Sequence, residues 1–330
     1  MRTALESTTA APHDPAAGHR HPRLQLCAVL LSLVALLSAS RGGAADGTTR
    51  TVNILYIGTS DSWSDTRMGK AAGMGFVASL RSRNFIVADG ATVNVTKVVV
   101  ESSAINATIF HVLSEIPDIL FVLGPTDDEP LMKALPALKK HKLVSFAPIT
   151  GSSQVRGWNS SLYFLRPEPA AELLALIRFA VTHLRVHRLG FMYLQGIFFG
   201  DTEFNEAKRV LLQIGYKLCG VFTLNGSYTG SADDAVFNAE WEKFADTRPQ
   251  AVIVFGARVN DTIKFIKKML TDPRTADAFL LGPFALQDIL LSTWREAVSA
   301  GGVPFVSGQV ITTGVSPLAS DTQYEAIKRF

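Results

Sequence analysis

Cysteine is scarce in this sequence, which has two cysteines in 330 residues. Cys27 lies in an apolar run close to the amino terminus, and Cys219 is the one cysteine beyond that run. A single thiol forms no intrachain disulfide, so the fold must be held together by its hydrophobic core. The surrounding string YKLCGVF indicates a buried strand, in which a thiol behaves as a small hydrophobic side chain.

The sequence also carries little excess charge and lacks the common catalytic motifs. Its formal net charge of +3 falls to +1 without residues 1–45, which hold four arginines and two acids, so nucleic acid is not expected as a partner. It has no GxSxG turn, no GxxxxGKS or GxxxxGKT loop and no CxxC pair. We therefore predict no catalytic residue, no metal site and no cofactor in this chain.

A long apolar run, residues 24–39, stands near the amino terminus. Basic residues precede it and small residues follow it, which is the order of a secretory signal. We predict that residues 1–45 are a signal peptide cleaved after Ala45. An uncleaved signal anchor is the alternative because the basic segment is long, although the apolar run is shorter than the ~20 residues of a membrane-spanning helix.

Acceptor sequences for N-linked glycans support export independently of the apolar run. Five Asn-x-Ser/Thr sequences lie in segments that we predict to be surface turns. The acceptors are Asn94, Asn106, Asn159, Asn225 and Asn260. They predict a glycoprotein of the secretory pathway.

From residue 51 onward, the sequence repeats a short apolar strand, a polar turn and an amphipathic helix. Apolar runs such as ILFVLG and AVIVFG, without polar alternation, indicate strands buried on both faces. Alternating strands and helices predict parallel sheets with helices on both faces. Because the strands are many for one sheet and prolines interrupt the pattern after LYFLR, we predict an α/β fold with two lobes. Each lobe is a doubly wound parallel sheet, and hinge crossings join the two.

The predicted boundaries follow from these interruptions. Residues 46–166 form the first lobe and residues 167–305 the second, with the first crossing at LYFLRPEP. The string GGVPFVSGQVITTG marks a second crossing, so that residues 306–330 return to the first lobe. The final string DTQYEAIKRF has the pattern of a helix interior, and we expect the sequence to be truncated before the first lobe is complete. A ligand would occupy the cleft at the carboxyl ends of the strands.

Three further patterns have both a functional and a structural interpretation. Gly73 and Gly75 belong to a GxGxxA string, but they lie inside a predicted helix, so close helix–sheet packing is favoured over a dinucleotide site. The string TDDE at residues 126–129 is favoured as a capping box over an acid–base or metal cluster. His183 and His187 lack the glutamate of a zinc motif and are predicted to be solvated.

The loops at the carboxyl ends of the predicted strands are rich in glycine, serine and threonine. Backbone amides and hydroxyl groups in such loops can hold a small polar ligand, and ordinary turn chemistry is the alternative. Trp63, Phe198 and Phe199 would supply apolar walls. The candidate cleft residues are Thr59, Ser60, Gly124, Thr126, Thr150, Gly151, Ser152, Gln195, Phe199 and Gly256.

The order of these elements resembles that of type I periplasmic-binding-protein domains, particularly the group that binds branched-chain amino acids. LYFLRPEP is similar to the strand of the first crossing, RLGFMYLQGIFFGDTEFNEAK to the first strand and loop of the second lobe, and FLLGPFALQD to its last strand. The resemblance implies ligand contacts at Gly124, Thr126, Thr150, Gly151 and Phe199. It also implies an acid after the Gly-Pro pair, where this sequence has Phe284 as a further cleft candidate. Because an apolar residue offsets no ligand ammonium, Phe284 argues against an amino acid ligand.

Longer strings resemble the extracellular region of trypanosomatid receptor-type adenylate cyclases. They are YFLRPEPAAELLALIRFAVTHLRVHRLGFMYLQG, TRPQAVIVFG, KMLTDPRTADAFLLGP and VPFVSGQVITTGVSPLASDTQY, within a similarity over most of residues 52–330. In that family, an export signal and a two-lobed domain precede one transmembrane helix and a cytoplasmic class III cyclase, which makes cAMP from ATP with Mg²⁺ or Mn²⁺. The resemblance implies a location at the cell surface, in the plasma or flagellar membrane.

The leading hypothesis is therefore a ligand-sensing and dimerising ectodomain. An unknown small-molecule ligand would close the cleft and alter how a homodimer holds two cyclase domains together. The membrane would be reached through a transmembrane helix that this sequence lacks. The alternative is a surface interaction glycoprotein whose cleft is vestigial.

Overall fold

The computed structural model describes residues 50–60, 68–197 and 199–314. The predicted signal segment, Trp63, Phe198 and residues 315–330 lie outside the described residues. The strands are β1 (Thr51–Thr59), β2 (Thr92–Val100), β3 (Ile119–Leu123), β4 (Ser145–Phe146), β5 (Leu162–Tyr163), β6 (Leu189–Gln195), β7 (Gly220–Asn225), β8 (Ala251–Phe255), β9 (Phe279–Gly282) and β10 (Val310–Thr312). The α-helices are α1 (Met68–Arg81), α2 (Ile105–Glu115), α3 (Asp128–Lys140), α4 (Pro169–Arg178), α5 (Asp201–Gln213), α6 (Asp234–Ala245), α7 (Asn260–Thr271) and α8 (Gln287–Ser299).

The chain divides into a small and a large compact unit. In the small unit, residues 86–92 form a tight turn, in which Ile86 and Thr92 make an antiparallel bridge around the 3-10 turn Ala88–Gly90. The large unit comprises residues 52–85 and the described residues from 93 onward. It contains the sites discussed below.

The strands form two five-stranded sheets. The order is β2-β1-β3-β4-β5 in the first sheet and β10-β9-β8-β6-β7 in the second. The pairs β1–β3, β3–β4 and β4–β5 are parallel, and so are the four pairs of the second sheet. The prediction of an α/β fold with two parallel sheets in two lobes is confirmed.

The apolar strands and amphipathic helices form as their sequence patterns predict. All five residues of β8 are buried, as expected for an interior strand covered on both faces. In α7, Phe265, Ile266, Met269 and Leu270 are buried on one face, which is the spacing of an amphipathic helix. The GxGxxA string lies within α1, and a Cβ at Gly73 would lie 2.7 Å from the Tyr56 hydroxyl, so this glycine serves close helix–sheet packing.

Two regions differ from the prediction at their boundaries. The apolar string LVSFAP predicts a strand over residues 143–148. β4 is shorter and ends at Phe146, because Ala147 has a φ of 55° and turns the backbone out of the ladder. β10 lies in the segment that we assigned to the return to the first lobe, but it pairs with β9 and belongs to the second sheet. The second sheet therefore continues past the boundary that we placed at residue 305.

Each sheet has its own hydrophobic core. In the first lobe, the core includes Leu55, Ile57, Ile105 and Val122, and in the second lobe it is larger and rich in aromatic rings. The fully buried ring cluster of the second lobe is Phe222, Phe237, Trp241, Phe244 and Phe265. Because each lobe buries its own apolar surface, the space between them is left to polar loops.

Candidate functional site

A cavity with a volume of about 280 Å³ lies between loops of the two lobes. Thr126, Asp128 and Thr150 line it from the first lobe, and Phe199 and Arg258 line it from the second. Thr126 and Asp128 follow β3, and Thr150 follows β4. In the second lobe, Phe199 follows β6 and Arg258 follows β8. Loops at the carboxyl ends of parallel strands meet at one edge of a sheet, so segments that are distant in sequence come together here. This is the edge at which the sequence places the cleft.

The predicted cleft residues divide into two groups within the part of the chain that the structure describes. The residues that line the cavity are Thr126, Thr150, Gly151 and Phe199. Those that lie outside its lining are Thr59, Ser60, Gly124, Ser152, Gln195, Gly256 and Phe284. In the second group, Thr59 is buried at the end of β1, whereas Ser60 and Gln195 are exposed at strand ends.

Two glycines of the second group have packing and backbone roles. Gly124 has a φ of 85°, and a Cβ there would lie 3.1 Å from the Ile57 carbonyl oxygen. A Cβ at Gly256 would collide with the Thr262 hydroxyl and lie 3.1 Å from the Met192 side chain. Glycine is favoured at position 124 by the left-handed backbone and at position 256 by the close approach of the Thr262 hydroxyl.

Residues 126–129 do not form the predicted capping box. The residue before α3 is Asp127, whose φ is 85° and whose side chain makes no capping hydrogen bond. Thr126 is buried and forms a parallel bridge with Ile149. The backbone thus turns Asp128, the first residue of α3, towards the loop after β4, and tertiary pairing overrides the local capping pattern.

Asp128 is held by donors from that loop. One carboxylate oxygen, Oδ1, accepts hydrogen bonds from the Thr150 hydroxyl, from the Gly151 N–H at 2.9 Å and from the Ser152 N–H at 3.0 Å. The Ser152 N–H also lies 3.0 Å from the Thr150 hydroxyl oxygen. Convergent amide and hydroxyl donors of this kind form an anion-binding nest. We name these donors the Thr150–Ser152 nest.

Burial raises the pKa of Asp128 to about 6. The hydrogen bond from Thr150 opposes this shift, and the charge of Asp127 adds to it. Desolvation is the largest cause because Asp128 is only 8% exposed.

The raised pKa of Asp128 predicts a specific pH dependence of stability. The folded state holds the proton of the Asp128 carboxyl more tightly than the unfolded state does. The protonated carboxyl therefore contributes to the free energy of unfolding below pH 3.8, and this contribution is lost as pH rises to about 6. A shift of this size corresponds to a loss of about 3 kcal/mol in the free energy of unfolding. Asp128→Asn should remove it, as measured by urea unfolding between pH 4 and pH 7. Burial also raises the pKa of Glu203, but the wild type and Asp128→Asn both contain this residue. The difference between their pH profiles of stability therefore reports Asp128. Identical pH profiles would contradict the prediction.

Two arginines bring positive charge to the cavity. The Arg166 side chain is 7% exposed, and its guanidinium donates to the Thr150 carbonyl at 2.7 Å. Arg258 donates from Nε to the Ala285 carbonyl at 2.8 Å. Burial lowers the pKa of Arg258, and the charges of Asp127 and other nearby acids oppose this shift. Neither arginine was among the predicted cleft residues, although Arg258 belongs to the predicted cleft loop that begins at Gly256.

Glu172 joins the segment between the two sheets, which contains Arg166, to two loops of the second lobe. Its carboxylate forms an ion pair with Arg166, accepts the Phe284 N–H at 2.7 Å and accepts a hydrogen bond from the Thr313 hydroxyl. The Phe284 ring lies over the Arg166 guanidinium, with 5.5 Å between the ring centroid and Cζ. Phe284 therefore lies in this Arg166–Glu172–Thr313 network, where its backbone, rather than its side chain, meets an acid.

Further contacts cross from one lobe to the other. The Ser153 hydroxyl, which follows the nest, donates to the Glu203 carboxylate of α5. Glu203 also accepts the Gly200 N–H at 2.9 Å. A Cβ at Gly151 would lie 3.1 Å from the Phe199 ring and 3.3 Å from the Ala285 Cβ. The lobes therefore touch around the cavity, as in a closed cleft.

The predicted glycan acceptors and Cys219 lie away from the cavity lining. Asn94, Asn225 and Asn260 are exposed, and Asn106 and Asn159 are half-buried. The prediction that all five lie in turns is wrong. Asn94 lies within β2, Asn225 is the last residue of β7, and Asn106 and Asn260 lie in the first turns of α2 and α7, whereas Asn159 lies in a loop. Cys219 lies just before β7, half-buried, and burial raises the pKa of its thiol, which keeps it protonated.

Over the described ranges, the structure contains no group of three or more metal-ligating side chains. A search of the same residues finds no helix with the length and apolar character needed to cross a membrane.

Comparison with known proteins identifies relatives of the second lobe and of the whole chain. Residues 171–314 match a family model described as adenylate cyclase, periplasmic binding protein-like domain. The chain is 42% identical over 308 residues to receptor-type adenylate cyclase ESAG 4 of Trypanosoma brucei brucei and 37% identical over 311 residues to receptor-type adenylate cyclase GRESAG 4.1 of the same organism. Both matches cover 92% of this chain but 24% and 25% of the relatives, so the chain spans about a quarter of their length.

A solved structure supports the fold independently. The chain is similar to a possible leucine/isoleucine/valine-binding protein from Rhodopirellula baltica SH 1, with a TM-score of 0.60 and 16% sequence identity. The match covers 87% of this chain and 74% of that protein. The predicted type I periplasmic-binding-protein fold is confirmed.

Proposed function

Because the chain belongs to the family of receptor-type adenylate cyclases through their periplasmic-binding-protein-like domain, we propose that it is the extracellular ligand-sensing region of such a receptor. In this proposal, a transmembrane helix and a cytoplasmic cyclase complete the protein, and the cyclase makes cAMP from ATP with Mg²⁺ or Mn²⁺. The receptor is a homodimer at the cell surface, in the plasma or flagellar membrane, and carries glycans on its acceptor asparagines.

The observation that carries the proposal is the cavity between the lobes. Its lining combines buried hydroxyl, carboxylate and guanidinium groups with the apolar Phe199 ring, which is the composition of a small-molecule site. Contacts of Gly151 with Phe199 and of Ser153 with Glu203 surround this cavity. A ligand that touches both lobes is bound more tightly when these contacts are made.

Signalling then follows from differential affinity. A ligand shifts the equilibrium between open and closed clefts only by the difference between its affinities for the two states. Closure changes the angle between the lobes of each protomer, and this change alters how the dimer presents its two cyclase domains. The segments containing Arg166 and Thr313 are the connections about which the lobes rotate.

A wedge in the cleft tests this function. Gly151→Leu places a side chain against Phe199 and Ala285, so the lobes cannot close, whereas Gly157→Leu in the same loop is a control with no atom within 4 Å of its Cβ. We expect at least one compound from a panel of nucleosides, sugars, polyamines and amino acids to raise the melting temperature of the wild type and of Gly157→Leu but not of Gly151→Leu. A panel in which no compound stabilises the wild type would contradict the proposal.

A surface interaction glycoprotein with a vestigial cleft is the second candidate. The observation that favours it is an apolar depression beside β7, an edge strand of the second sheet, whose lining includes Leu212, 70% exposed, and Val221, 36% exposed. Contiguous exposed apolar side chains are typical of protein-binding surfaces. Under this alternative, Gly151→Leu leaves cAMP production by the full-length receptor unchanged, whereas the sensing function requires that it be lost.

A further inference from the structure

The Thr150–Ser152 nest in the cavity already holds an anion, and that anion belongs to the chain itself. Three donors, the Thr150 hydroxyl and the N–H groups of Gly151 and Ser152, meet at one oxygen of Asp128. Proteins hold ligand carboxylates with the same kind of convergent donors, since hydrogen bonds to a charged acceptor are stronger than neutral ones. The nest is therefore a complete anion subsite whose occupant comes from α3.

The backbone keeps this occupant in place. The Asp127 N–H donates to the Ile149 carbonyl at 2.7 Å, and Thr126 bridges Ile149, so the two loops are tied together just before Asp128. Asp128 is 8% exposed and lines the cavity. Among the described residues, no group donates a hydrogen bond to its second oxygen, Oδ2. One oxygen thus fills the nest, and the other is available to a molecule in the cavity.

We propose that Asp128 is an internal ligand that fills the anion subsite of the cleft, so that the cleft excludes carboxylate ligands and selects small molecules that present hydrogen-bond donors or a cationic group to Asp128. The inference rests on the proposed function, because it assumes that the cleft is a binding site. A free carboxylate would meet an occupied nest and, beside it, the charges of Asp127 and Glu129. A donor group on a ligand would meet the second oxygen of Asp128 instead.

Vacating the subsite tests the proposal directly. In Asp128→Ala, the nest loses its occupant and should accept formate or acetate, so 100 mM sodium formate should raise the melting temperature by about 3 °C over equimolar sodium chloride. The wild type should show no such difference. Glu129→Ala is the matched control, because it removes a carboxylate from the same cavity, where Glu129 pairs with Lys133, and leaves the nest donors untouched. An equal formate effect in all three proteins, or none in Asp128→Ala, would overturn the proposal.

A measurement on the wild type covers the case in which Asp128→Ala does not fold. The amide proton resonances of Gly151 and Ser152 should both shift as Asp128 ionises near pH 6, and neither should shift in Asp128→Asn. The charged groups near Asp128 are Asp127, Glu129, Arg156, Arg166 and Arg258. Arginine side chains do not titrate near pH 6. Amide resonances that do not titrate would overturn the proposal.

These results separate the internal ligand from the proposed function. Formate and acetate probe the nest whether or not the receptor has a natural ligand. If Asp128→Ala gains formate binding while no compound in the panel distinguishes Gly151→Leu from Gly157→Leu, the sensing function fails and the internal ligand stands. If a compound that carries a carboxylate closes the wild-type cleft through the nest, the internal ligand fails and the sensing function stands.

Discussion

Replacing Glu172 with alanine is expected to lower the free energy of unfolding by about 3–5 kcal/mol, the usual loss when one partner of a buried ion pair is removed. The Glu172 side chain is 3% exposed, and its carboxylate is shared by Arg166, the Phe284 N–H and the Thr313 hydroxyl. Alanine leaves the Arg166 guanidinium, only 7% exposed, without its opposite charge. It also removes one of the two acceptors of the Phe284 N–H, which keeps the Thr313 hydroxyl oxygen at 2.8 Å. The main cost is therefore the buried guanidinium that loses its charged partner.

Urea unfolding followed by circular dichroism measures this loss. Glu168→Ala is the matched control, since Glu168 is an exposed acid at the start of the same helix and its removal should change stability by less than about 0.5 kcal/mol. Similar losses in the two variants would contradict a stabilising role of the buried Arg166–Glu172–Thr313 network. The position of the network also predicts that Glu172→Ala weakens the coupling of the lobes, visible as two separate unfolding transitions.

The second large effect concerns the aromatic core of the second lobe. Trp241→Ala is expected to cost about 3–5 kcal/mol, because it leaves a cavity among rings that cannot collapse fully. Trp241 is fully buried and contacts Phe222, Phe244 and Phe265, with ring centroids 5.7 to 6.5 Å apart. Its indole N–H also donates to Asp272 at 3.0 Å, and the variant loses this hydrogen bond.

Trp158→Ala is the control for this variant. Trp158 is 98% exposed, so its removal exposes no core and should change the free energy of unfolding by less than about 0.5 kcal/mol. Thermal and urea unfolding of both variants give the comparison. A loss below about 1 kcal/mol for Trp241→Ala would mean that the ring cluster repacks around the vacancy.

The two sets of variants probe different levels of the same molecule. Trp241 stabilises one lobe from within, whereas Glu172 stabilises the segment between the two sheets through Arg166. A change in the cleft, such as Gly151→Leu, should leave both cores intact because Gly151 lies at the cavity wall. Stability and ligand response can therefore be separated by mutation.

Local pattern was sufficient for much of the fold. The runs ILFVLG and AVIVFG formed β3 and β8, and β8 is buried on both faces as its residues predict. β3 is not, because Leu120 is 53% exposed. The GxGxxA glycines were predicted to lie inside a helix because they are too far from the first strand to form a phosphate loop, and they do lie in α1. Ala147 and β10 were not predictable in this way, since a left-handed backbone residue and the choice of a neighbouring strand depend on the assembled lobes.

The candidate site depended much more on tertiary contacts. Thr126, Thr150, Gly151 and Phe199 were predicted because loops after strands converge at one sheet edge. Asp128 was interpreted as a helix-end acid, which is the correct local expectation for its position in α3. Its partners lie 22 to 24 residues away in the loop after β4, and no local pattern connects the two.

By itself, the sequence determined the α/β class, the two-lobed division and the edge on which the cleft lies, because hydrophobic periodicity and breaks in it are local properties. The tertiary structure decided which charged groups lie in the cleft and which partners the buried charges beside it have. Glu172 meets Phe284 across 112 residues and Thr313 across 141, and Asp128 fills a nest that the chain builds from another loop. Such pairings arise because folding brings buried polar groups to partners that satisfy them, and those partners are neighbours in space and not in sequence.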